Sequence, residues 1–321
     1  MKEIPIDRND GGQRLDKFLS KALPSLPPSL LYKAIRTKKI KVNRRRAEPG
    51  QLLCEGDLLQ LFLPPEFLGG KSTDTNRLAH IRAEVSVVYE DDNILLVNKR
   101  EGLSVHADKA GEGDHLLLRV QAYLYRQGSY DPAAEQSFAP ALCNRIDRNT
   151  QGMVIVAKNA EALRIMNEKI RCREVSKFYL CVVHGRPTKP SGTLYGYLEK
   201  DSEQNKVRIF DQNPPPSAKK IATRYTVLAT TGELSLLEVE LLTGRTHQIR
   251  AHLAHIGHPL LGDGKYSVNR ADRAQGYEHQ ALCAYKLRFD FTTEAGLLEY
   301  LRGRTFELPR AQIPFTALFP S

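Results

Sequence analysis

The sequence of 321 residues lacks long apolar segments and any regular spacing of cysteines. No stretch approaches the roughly 20 apolar residues that a membrane-spanning helix needs, and residues 1–7 lack the apolar core of a secretory leader. The five cysteines are odd in number, scattered and without a C-x-x-C pair, which excludes a disulfide framework or a zinc ribbon. Hydrophobic residues still make up 41% of the chain, an ordinary value for a globular protein. We therefore expect a soluble, cytoplasmic protein with reduced thiols.

Acidic residues are fewer than basic ones, and one segment contains none at all. The chain has 47 Lys and Arg against 37 Asp and Glu, a formal charge of +10. Residues 33 to 46 hold eight basic residues, the basic cluster: Lys33, Arg36, Lys38, Lys39, Lys41, Arg44, Arg45 and Arg46. Cations clustered without compensating acids favour contacts with phosphates and the release of counterions. We therefore predict that this cluster binds RNA, although a basic run can also be a solvated face.

The segment around the basic cluster has the pattern of a small α/β unit. Apolar residues recur at helical spacing in Leu15–Ala22, which predicts a helix that ends before Pro24. Ser29 is a suitable N-cap for a second helix, with its buried face among residues 30–35. Ile40–Val42 and the alternating leucines of 59–63 predict short strands. Two short helices, small strands and a basic edge resemble the S4 RNA-binding domain.

A change of composition divides this unit from the rest of the chain. Residues 64–79 are rich in Pro, Gly, Ser, Thr and Asn, which is typical of a linker. We predict an RNA-binding domain over 1–64, a linker over 65–82 and a larger domain over 83–321. Strand-like apolar runs dominate the larger domain, at 94–97, 154–156, 178–183, 225–228, 234–242 and 282–291. Mainly antiparallel strands with a few helices predict an α+β fold.

The larger domain contains one segment in which a carboxylate is held between two cations. In Asn144–Gly152, Asp147 stands between Arg145 and Arg148, directly before the apolar run 153–157. This pattern places the carboxylate at the edge of a buried sheet, where it would be held rigidly. The neighbouring cations would keep it ionised, as a nucleophilic or charge-stabilising carboxylate requires. A salt-bridged loop aspartate would give the same pattern.

Three segments of the larger domain resemble, in order, the RluA-type RNA pseudouridine synthases. Val87–Lys99 resembles the first strands of their catalytic domain, Asn144–Gly152 their R-L-D-x-x-T-x-G signature, and Thr243–Arg250 their T-G-R-T-H-Q-I-R block. The resemblance implies a mainly antiparallel mixed sheet with helices, behind an S4-like domain that commonly precedes it. The chain departs from the family pattern at Arg100, Asn144, Ile146, Asn149 and Gln151.

The resemblance also implies an activity and the residues that carry it. The enzyme would be an isomerase that detaches a uracil from C1′, turns it and rejoins it through C5, without a cofactor or metal. Asp147 would be the catalytic carboxylate, Arg250 its ion-pair partner and Tyr179 the ring that stacks on the flipped base. Arg145 would fill the position that this base leaves. The partner would be RNA, with large-subunit ribosomal RNA as the substrate of a monomeric enzyme.

The block that contains Arg250 also predicts a phosphate site. Ile249, Leu253 and Ile256 recur at helical spacing, which predicts a helix across 243–258. Its first turn would offer free backbone amides and the cation of Arg245 to a phosphate.

Three other interpretations compete with this hypothesis. The histidines of the same block suggest a metal site, but their spacing matches no H-E-x-x-H helix: His247, His252, His255 and His258. A non-catalytic ribosome-assembly factor with a degenerate synthase domain would account for the departures from the signature. It would not account for Asp147, Tyr179 and Arg250 all being in place. A nucleoside hydrolase would leave the basic N-terminal domain without a role.

Overall fold

Residues 1–69, 75–107, 113–201, 203–204 and 206–319 are described in the computed structural model. The N-terminal domain has a four-stranded antiparallel sheet, in the order β1-β4-β2-β3, and two helices. Its elements are β1 (Lys2–Pro5), α1 (Leu15–Ala22), α2 (Pro28–Arg36), β2 (Ile40–Val42), β3 (Arg45–Arg46) and β4 (Leu58–Leu61). No helix in the described ranges is long and apolar enough to cross a membrane.

The helices of this domain agree with the sequence pattern except at the start of α2. The buried stripe of α1 is formed as expected, and Leu15 is fully buried. Helix α2 begins at Pro28 and its N-cap residue is Pro27, so the prediction of Ser29 as N-cap is wrong. Proline is favoured at this position because its fixed φ suits the first helical turn and its missing N–H needs no partner. Leu30 is 39% exposed because it lies about one-quarter turn from Leu31 on the helix surface, away from the core.

The larger domain is built on one sheet of eleven strands. The path of nine strands is β11-β10-β12-β13-β9-β14-β8-β6-β5, while β7 pairs with β8 and β15 pairs with β14. The strands are β5 (Ser86–Glu90), β6 (Ile94–Lys99), β7 (Ala141–Leu142), β8 (Gln151–Ala157), β9 (Val175–His184), β10 (Ser191–Asp201), β11 (Lys206–Phe210), β12 (Lys219–Thr231), β13 (Leu234–Leu241), β14 (Leu282–Phe289) and β15 (Thr305–Glu307). The helices are α3 (Thr75–His80), α4 (Leu116–Arg126), α5 (Ala160–Arg171), α6 (Gln248–His255) and α7 (Arg270–Ala274). Short 3-10 helices lie at Pro65–Phe67, Gly296–Leu301, Arg310–Gln312 and Pro314–Leu318.

Strand alternation divides the interior of this domain into two cores, one on each face of the sheet. Phe178 and Leu180 of β9 pack with Met166 of α5 on one face. Tyr179 and Cys181 point to the other face, toward α4 and α6. Successive side chains of a strand point to opposite faces, which is why Tyr179 lies opposite Phe178. The α+β class with a mainly antiparallel mixed sheet is confirmed.

Strand β8 pairs with β14 in parallel, whereas the other strand pairs among the described residues are antiparallel. The contact brings Gly152 against Ala284 so closely that a Cβ on Gly152 would lie 2.3 Å from the Ala284 carbonyl oxygen. Gly152 also has a φ of +129°, which a residue with a side chain rarely adopts. Glycine is therefore required where the Asp147 loop enters the sheet.

The segment 65–82, which we expected to be a linker, contains a 3-10 helix and α3. Leu78 of α3 is buried in the core of the larger domain. Polar side chains also join the two domains directly. Asn9 donates to Glu135 at 2.8 Å, and Arg164 donates to the Gly11 carbonyl at 2.8 Å. The boundaries at residues 64 and 82 remain predictions.

Candidate active site

The loop that carries Asp147 is fixed on both sides. Ile146 is buried in the core beneath the loop, and the Thr150 amide donates to the Asp147 carbonyl at 3.1 Å. Lys99, at the end of β6, is 1% exposed and donates to the carbonyl oxygens of Arg148 (2.8 Å) and Leu103 (2.9 Å). Burial lowers the pKa of Lys99 to about 7, although the charge of Asp147 opposes the shift. The buried lysine thus ties the loop to the strand below it.

Arg250 lies against Asp147, as the family resemblance implies, but its shortest hydrogen bonds go to a second carboxylate. Arg250 Nη1 is 3.3 Å from Asp147 Oδ2. Its Nε and Nη2 donate to the two oxygens of Asp263, each at 2.8 Å. Burial by itself would raise the pKa of Asp263, but the hydrogen bonds and charge of Arg250 outweigh it and hold the pKa below its usual value. Because Asp263 is fully buried, its bidentate pair fixes the direction in which the guanidinium reaches Asp147.

Two further side chains surround this ion pair. His247 Nε2 is 3.9 Å from Asp147 Oδ2, and His247 Nδ1 is 2.9 Å from the Tyr266 hydroxyl. The Tyr266 ring lies 5.4 Å from the Arg250 guanidinium carbon, within cation–π distance. Burial, together with the charge of Arg250, lowers the pKa of His247 well below its usual value although Asp147 opposes the shift. At neutral pH His247 is therefore uncharged, and Arg250 is the cation that contacts Asp147.

Helix α6 begins later than the sequence pattern predicts. It runs from Gln248 to His255, and His247 ahead of it has a positive φ of 55°. The expectation that residues 244–246 form the first helical turn is therefore wrong. The Gln248 side chain accepts a hydrogen bond from the Arg245 amide at 3.1 Å, which takes up one of the amides expected to be free. Arg245 itself is exposed, so its side chain remains available to a phosphate.

A cavity of about 280 Å³, here called the inner cavity, opens beside Asp147. Tyr179 lines it and is 6% exposed, and Arg145 and Arg245 lie at its border. Its volume is close to the lower end, about 300 Å³, of ordinary small-molecule sites. A larger space of about 1130 Å³, the outer cleft, shares Asp147 and Arg145 with it. The outer cleft is also lined by Lys200, Lys206, Lys265 and Arg273. The arrangement suits one base in the inner cavity and a polyanionic strand along the cleft.

Tyr179 presents a protonated phenol to the inner cavity. Burial, and then the nearby charge of Asp147, raises the pKa of Tyr179 above its usual value. A raised pKa opposes formation of a phenolate at neutral pH. The ring is therefore better suited to stacking than to accepting a proton.

The four histidines of residues 243–258 have separate partners rather than a common metal site. His252 lies 3.0 Å from the Thr223 hydroxyl, His255 pairs with Asp211 at 3.0 Å, and His258 contacts the His184 carbonyl. Within the part of the chain that the structure describes, no group of three or more metal-ligating side chains converges.

The residues that depart from the family signature have structural partners. Asn144 accepts a hydrogen bond from the Ile155 amide at 2.7 Å. The Asn149 amide lies 3.2 Å from His279, and Gln151 donates to the Gln312 carbonyl at 2.8 Å. These contacts join the loop to β8 and to the C-terminal part of the domain without displacing Asp147.

Cys143, next to the loop, is half-buried. Burial raises the pKa of its thiol to about 12, so the thiol stays protonated and is a poor nucleophile.

The basic cluster lies on the surface of the N-terminal domain. Seven of its members are exposed and Lys41 is half-buried, with its ammonium 5.4 Å from the Phe62 ring. None of the eight forms an ion pair within the described ranges. The turn of β2 and β3 places Asn43 and Arg44 in the left-handed region, which turns their side chains outward.

Sequence reasoning overlooked Lys99, Asp263 and Tyr266. Asp263 follows Gly262 in a turn, where neither strand nor helix periodicity marks a buried residue. Lys99 ends an apolar strand and looks like an ordinary exposed terminus. The only available indication was a lysine two residues after the apolar run 94–97.

Comparison with known proteins agrees with this geometry. The family described as RNA pseudouridylate synthase matches residues 93–255, and the S4 domain matches residues 13–59. A ribosomal large subunit pseudouridine synthase C of Vibrio parahaemolyticus is 32% identical over 283 residues, covering 85% of this chain and 82% of that protein. A protein of the same name in Haemophilus influenzae is 29% identical and covers 94% and 90%.

Solved structures support the fold. The human RNA pseudouridylate synthase domain containing 4 superimposes with a TM-score of 0.57 at 23% identity, covering 76% of this chain and 96% of that one. A second human protein, RNA pseudouridylate synthase domain containing 1, gives a TM-score of 0.53 at 23% identity. The predicted family and isomerase activity are confirmed, and the non-catalytic alternative finds no support. The chain belongs to the RNA pseudouridylate synthases, and it is an isomerase that converts uridine to pseudouridine in RNA.

Proposed function

We propose that this enzyme isomerises specific uridines of large-subunit ribosomal RNA. The names of its relatives support this substrate, since several are ribosomal large subunit pseudouridine synthases. The exposed basic cluster is consistent with a long, structured RNA, because it extends the charged surface well beyond a single nucleotide site. We also propose that the enzyme acts as a monomer in the cytoplasm.

The observation that carries the catalytic assignment is the buried Asp147–Arg250–Asp263 arrangement beside the inner cavity. Asp147 either attacks C1′ or stabilises positive charge there as the C1′–N1 bond breaks. Arg250 pairs with Asp147 and aims it, because the position of Arg250 is itself set by Asp263. Since the nucleotide must leave its stack to reach this site, RNA contacts have to offset a flipping cost of a few kcal/mol.

Tyr179 and Arg145 complete the handling of the flipped nucleotide. Tyr179 forms a wall of the inner cavity, where its ring stacks on the base. Arg145 is exposed at the border between the inner cavity and the outer cleft, so it is placed to fill the gap that the base leaves. Arg245 and the basic cluster contact phosphates on either side.

Incubation of the enzyme with ribosomal RNA that lacks pseudouridine, followed by nucleoside analysis and site mapping, tests this proposal. We expect new pseudouridine at a small number of large-subunit positions. Asp147→Asn keeps the shape of the side chain and should abolish the product while RNA affinity remains. Product formed by Asp147→Asn would remove Asp147 from the mechanism. Modification of transfer RNA alone would refute the ribosomal substrate but not the catalytic assignment.

A further inference from the structure

Lys177 is a half-buried cation in the inner cavity that the catalytic scheme does not use. It lies two residues before Tyr179 on β9, so both side chains point to the same face of the sheet. Both line the inner cavity. The Lys177 ammonium lies next to Gly244, and a Cβ built on Gly244 would be 3.8 Å from its nitrogen. The lysine therefore ends on the side of the cavity formed by the 243–250 block.

Other buried or half-buried lysines of the domain have carboxylate or carbonyl partners. Lys169 pairs with Glu174 at 2.8 Å, Lys158 with Glu90 at 2.8 Å and Lys286 with Glu238 at 3.0 Å. Lys99 donates to backbone carbonyls. In the described part of the chain, the ammonium of Lys177 has no hydrogen-bond or ion-pair partner.

The Lys177 ammonium is partly desolvated and has no protein acceptor in the described residues, so a ligand in the cavity can supply one. Burial alone lowers the pKa of Lys177, with no neighbouring charge acting in the opposite direction. A group that is desolvated without a structural partner, and that lines a cavity, is a candidate for ligand contact. The ligand should bring oxygen acceptors and, during the reaction, negative charge.

Uracil provides both. When the C1′–N1 bond breaks, its electron pair leaves with the base, and the charge spreads over N1 and the two carbonyl oxygens. We propose that Lys177 donates a hydrogen bond to a carbonyl oxygen of the flipped uracil and stabilises the uracil anion formed on cleavage. This role rests on the proposed function, because it requires the base to enter the inner cavity.

The symmetry of uracil makes one fixed donor useful before and after the base turns. A half-turn about the line through N3 and C6 exchanges N1 with C5 and, at the same time, O2 with O4. Lys177 therefore meets a carbonyl oxygen in both orientations. The C5–C1′ bond then forms from the electrons of the ring, the proton on C5 is lost and N1 gains a proton. Lys177 keeps its own proton throughout, so the reaction remains a balanced isomerisation.

The test compares Lys177→Met with Lys177→Arg in the full-length enzyme and uses Lys219→Met as the matched control, since Lys219 is exposed on β12. Single-turnover rates and RNA dissociation constants are measured with the ribosomal RNA substrate. Loss of one donor to a developing anion typically slows a reaction by about 100- to 1,000-fold. We expect Lys177→Met to lose rate on this scale with little change in affinity, Lys177→Arg to recover part of it, and Lys219→Met to retain the wild-type rate.

A substrate carrying 5-fluorouridine separates charge stabilisation from a structural role. Fluorine withdraws electrons and stabilises the uracil anion, so the rate defect of Lys177→Met in consuming 5-fluorouridine should be smaller than its defect with uridine. Equal defects with both substrates would show that Lys177 only shapes the cavity and would overturn the proposal. An unchanged single-turnover rate in Lys177→Met would also overturn the proposal. A loss of RNA affinity with a shallower salt dependence would overturn it as well, because it would show that Lys177 contacts a phosphate. Failure of the wild-type enzyme to form pseudouridine would instead reject the proposed function.

Discussion

The pairing of Arg250 with two carboxylates leads to a prediction in which stability and catalysis separate. Arg250→Met removes the cation and leaves Asp263, which is 0% exposed, without its bidentate partner. Breaking a buried ion pair by removing one partner costs about 3–5 kcal/mol. The same change takes away the guanidinium at 3.3 Å from Asp147. We expect the variant to be destabilised by this amount and its single-turnover rate to fall about 100-fold or more.

The double variant Arg250→Met, Asp263→Asn distinguishes the two effects. The backbone amides of Lys265 (2.9 Å) and Tyr266 (3.3 Å) donate to Asp263 Oδ1, and the Asn carbonyl oxygen can still accept both. The buried charge is then absent, so most of the lost stability should return. The rate should not return, because the double variant still lacks the cation beside Asp147.

Urea denaturation gives the free energy of unfolding, and single-turnover assays at saturating RNA give the rate. Arg224→Met is a suitable control, since Arg224 is 55% exposed in its 2.7 Å pair with Glu240. Such surface pairs contribute at most about 1 kcal/mol. Two results would contradict a stabilising Arg250–Asp263 pair: an Arg250→Met variant as stable as the wild type, or a double variant as unstable as the single one. A double variant that regained activity would refute the role of Arg250.

Two further predictions concern the N-terminal domain. Replacing all eight residues of the basic cluster with glutamine should reduce the slope of log affinity against log salt by about 2–4 units. Each phosphate contact contributes about 0.7 to this slope, and not all eight side chains can touch RNA at once. An unchanged slope in filter-binding assays would show that the cluster is a solvated face. Asp10 is fully buried at the domain contact and accepts from Ser137, and burial raises its pKa from 3.8 to about 6. A carboxyl group whose pKa is raised in the folded state contributes stability that is fully present below pH 3.8 and is lost as pH rises to about 6. The whole loss is about 3 kcal/mol, and about half of it occurs above pH 5. Urea unfolding at pH 5 and pH 8 should therefore show a loss in the wild type that Asp10→Asn lacks, and equal losses in both would contradict the role of Asp10.

The sequence was sufficient to identify residues whose position depends on local pattern. The face on which Tyr179 lies follows from alternation in β9, because Phe178 and Leu180 lie on the other face, whereas its role beside the base came from the family resemblance. Asp147 follows from a polar loop that meets a continuous apolar strand. Arg250 was identified through the resemblance of Thr243–Arg250 to the family block, and its direction depends on Asp263. For Asp147 and Tyr179, a short segment contains both the residue and the packing that orients it.

Residues whose position depends on tertiary contacts were not predictable in this way. Asp263 is 13 residues beyond Arg250, in a turn, and only the folded chain brings the two side chains together. The start of α6 was misplaced because the Gln248 side chain bonds the Arg245 amide and Thr243, which holds residues before the helix in a turn. Helical periodicity does not report such side-chain contacts.

The order of strands explains why motifs so far apart in sequence meet at one site. The sheet runs β13-β9-β14-β8, so the loop before β8, the face of β9 and the chain leaving β13 toward α6 all come to the same region. Strand β14 lies between β8 and β9 although it is formed more than 90 residues after β9. Its parallel contact with β8 at Gly152 sets the distance between the Asp147 loop and Tyr179, because no larger residue fits against Ala284. Gly152 therefore affects the site through spacing, because it sets how far the Asp147 loop lies from Tyr179, and both Asp147 and Tyr179 line the inner cavity.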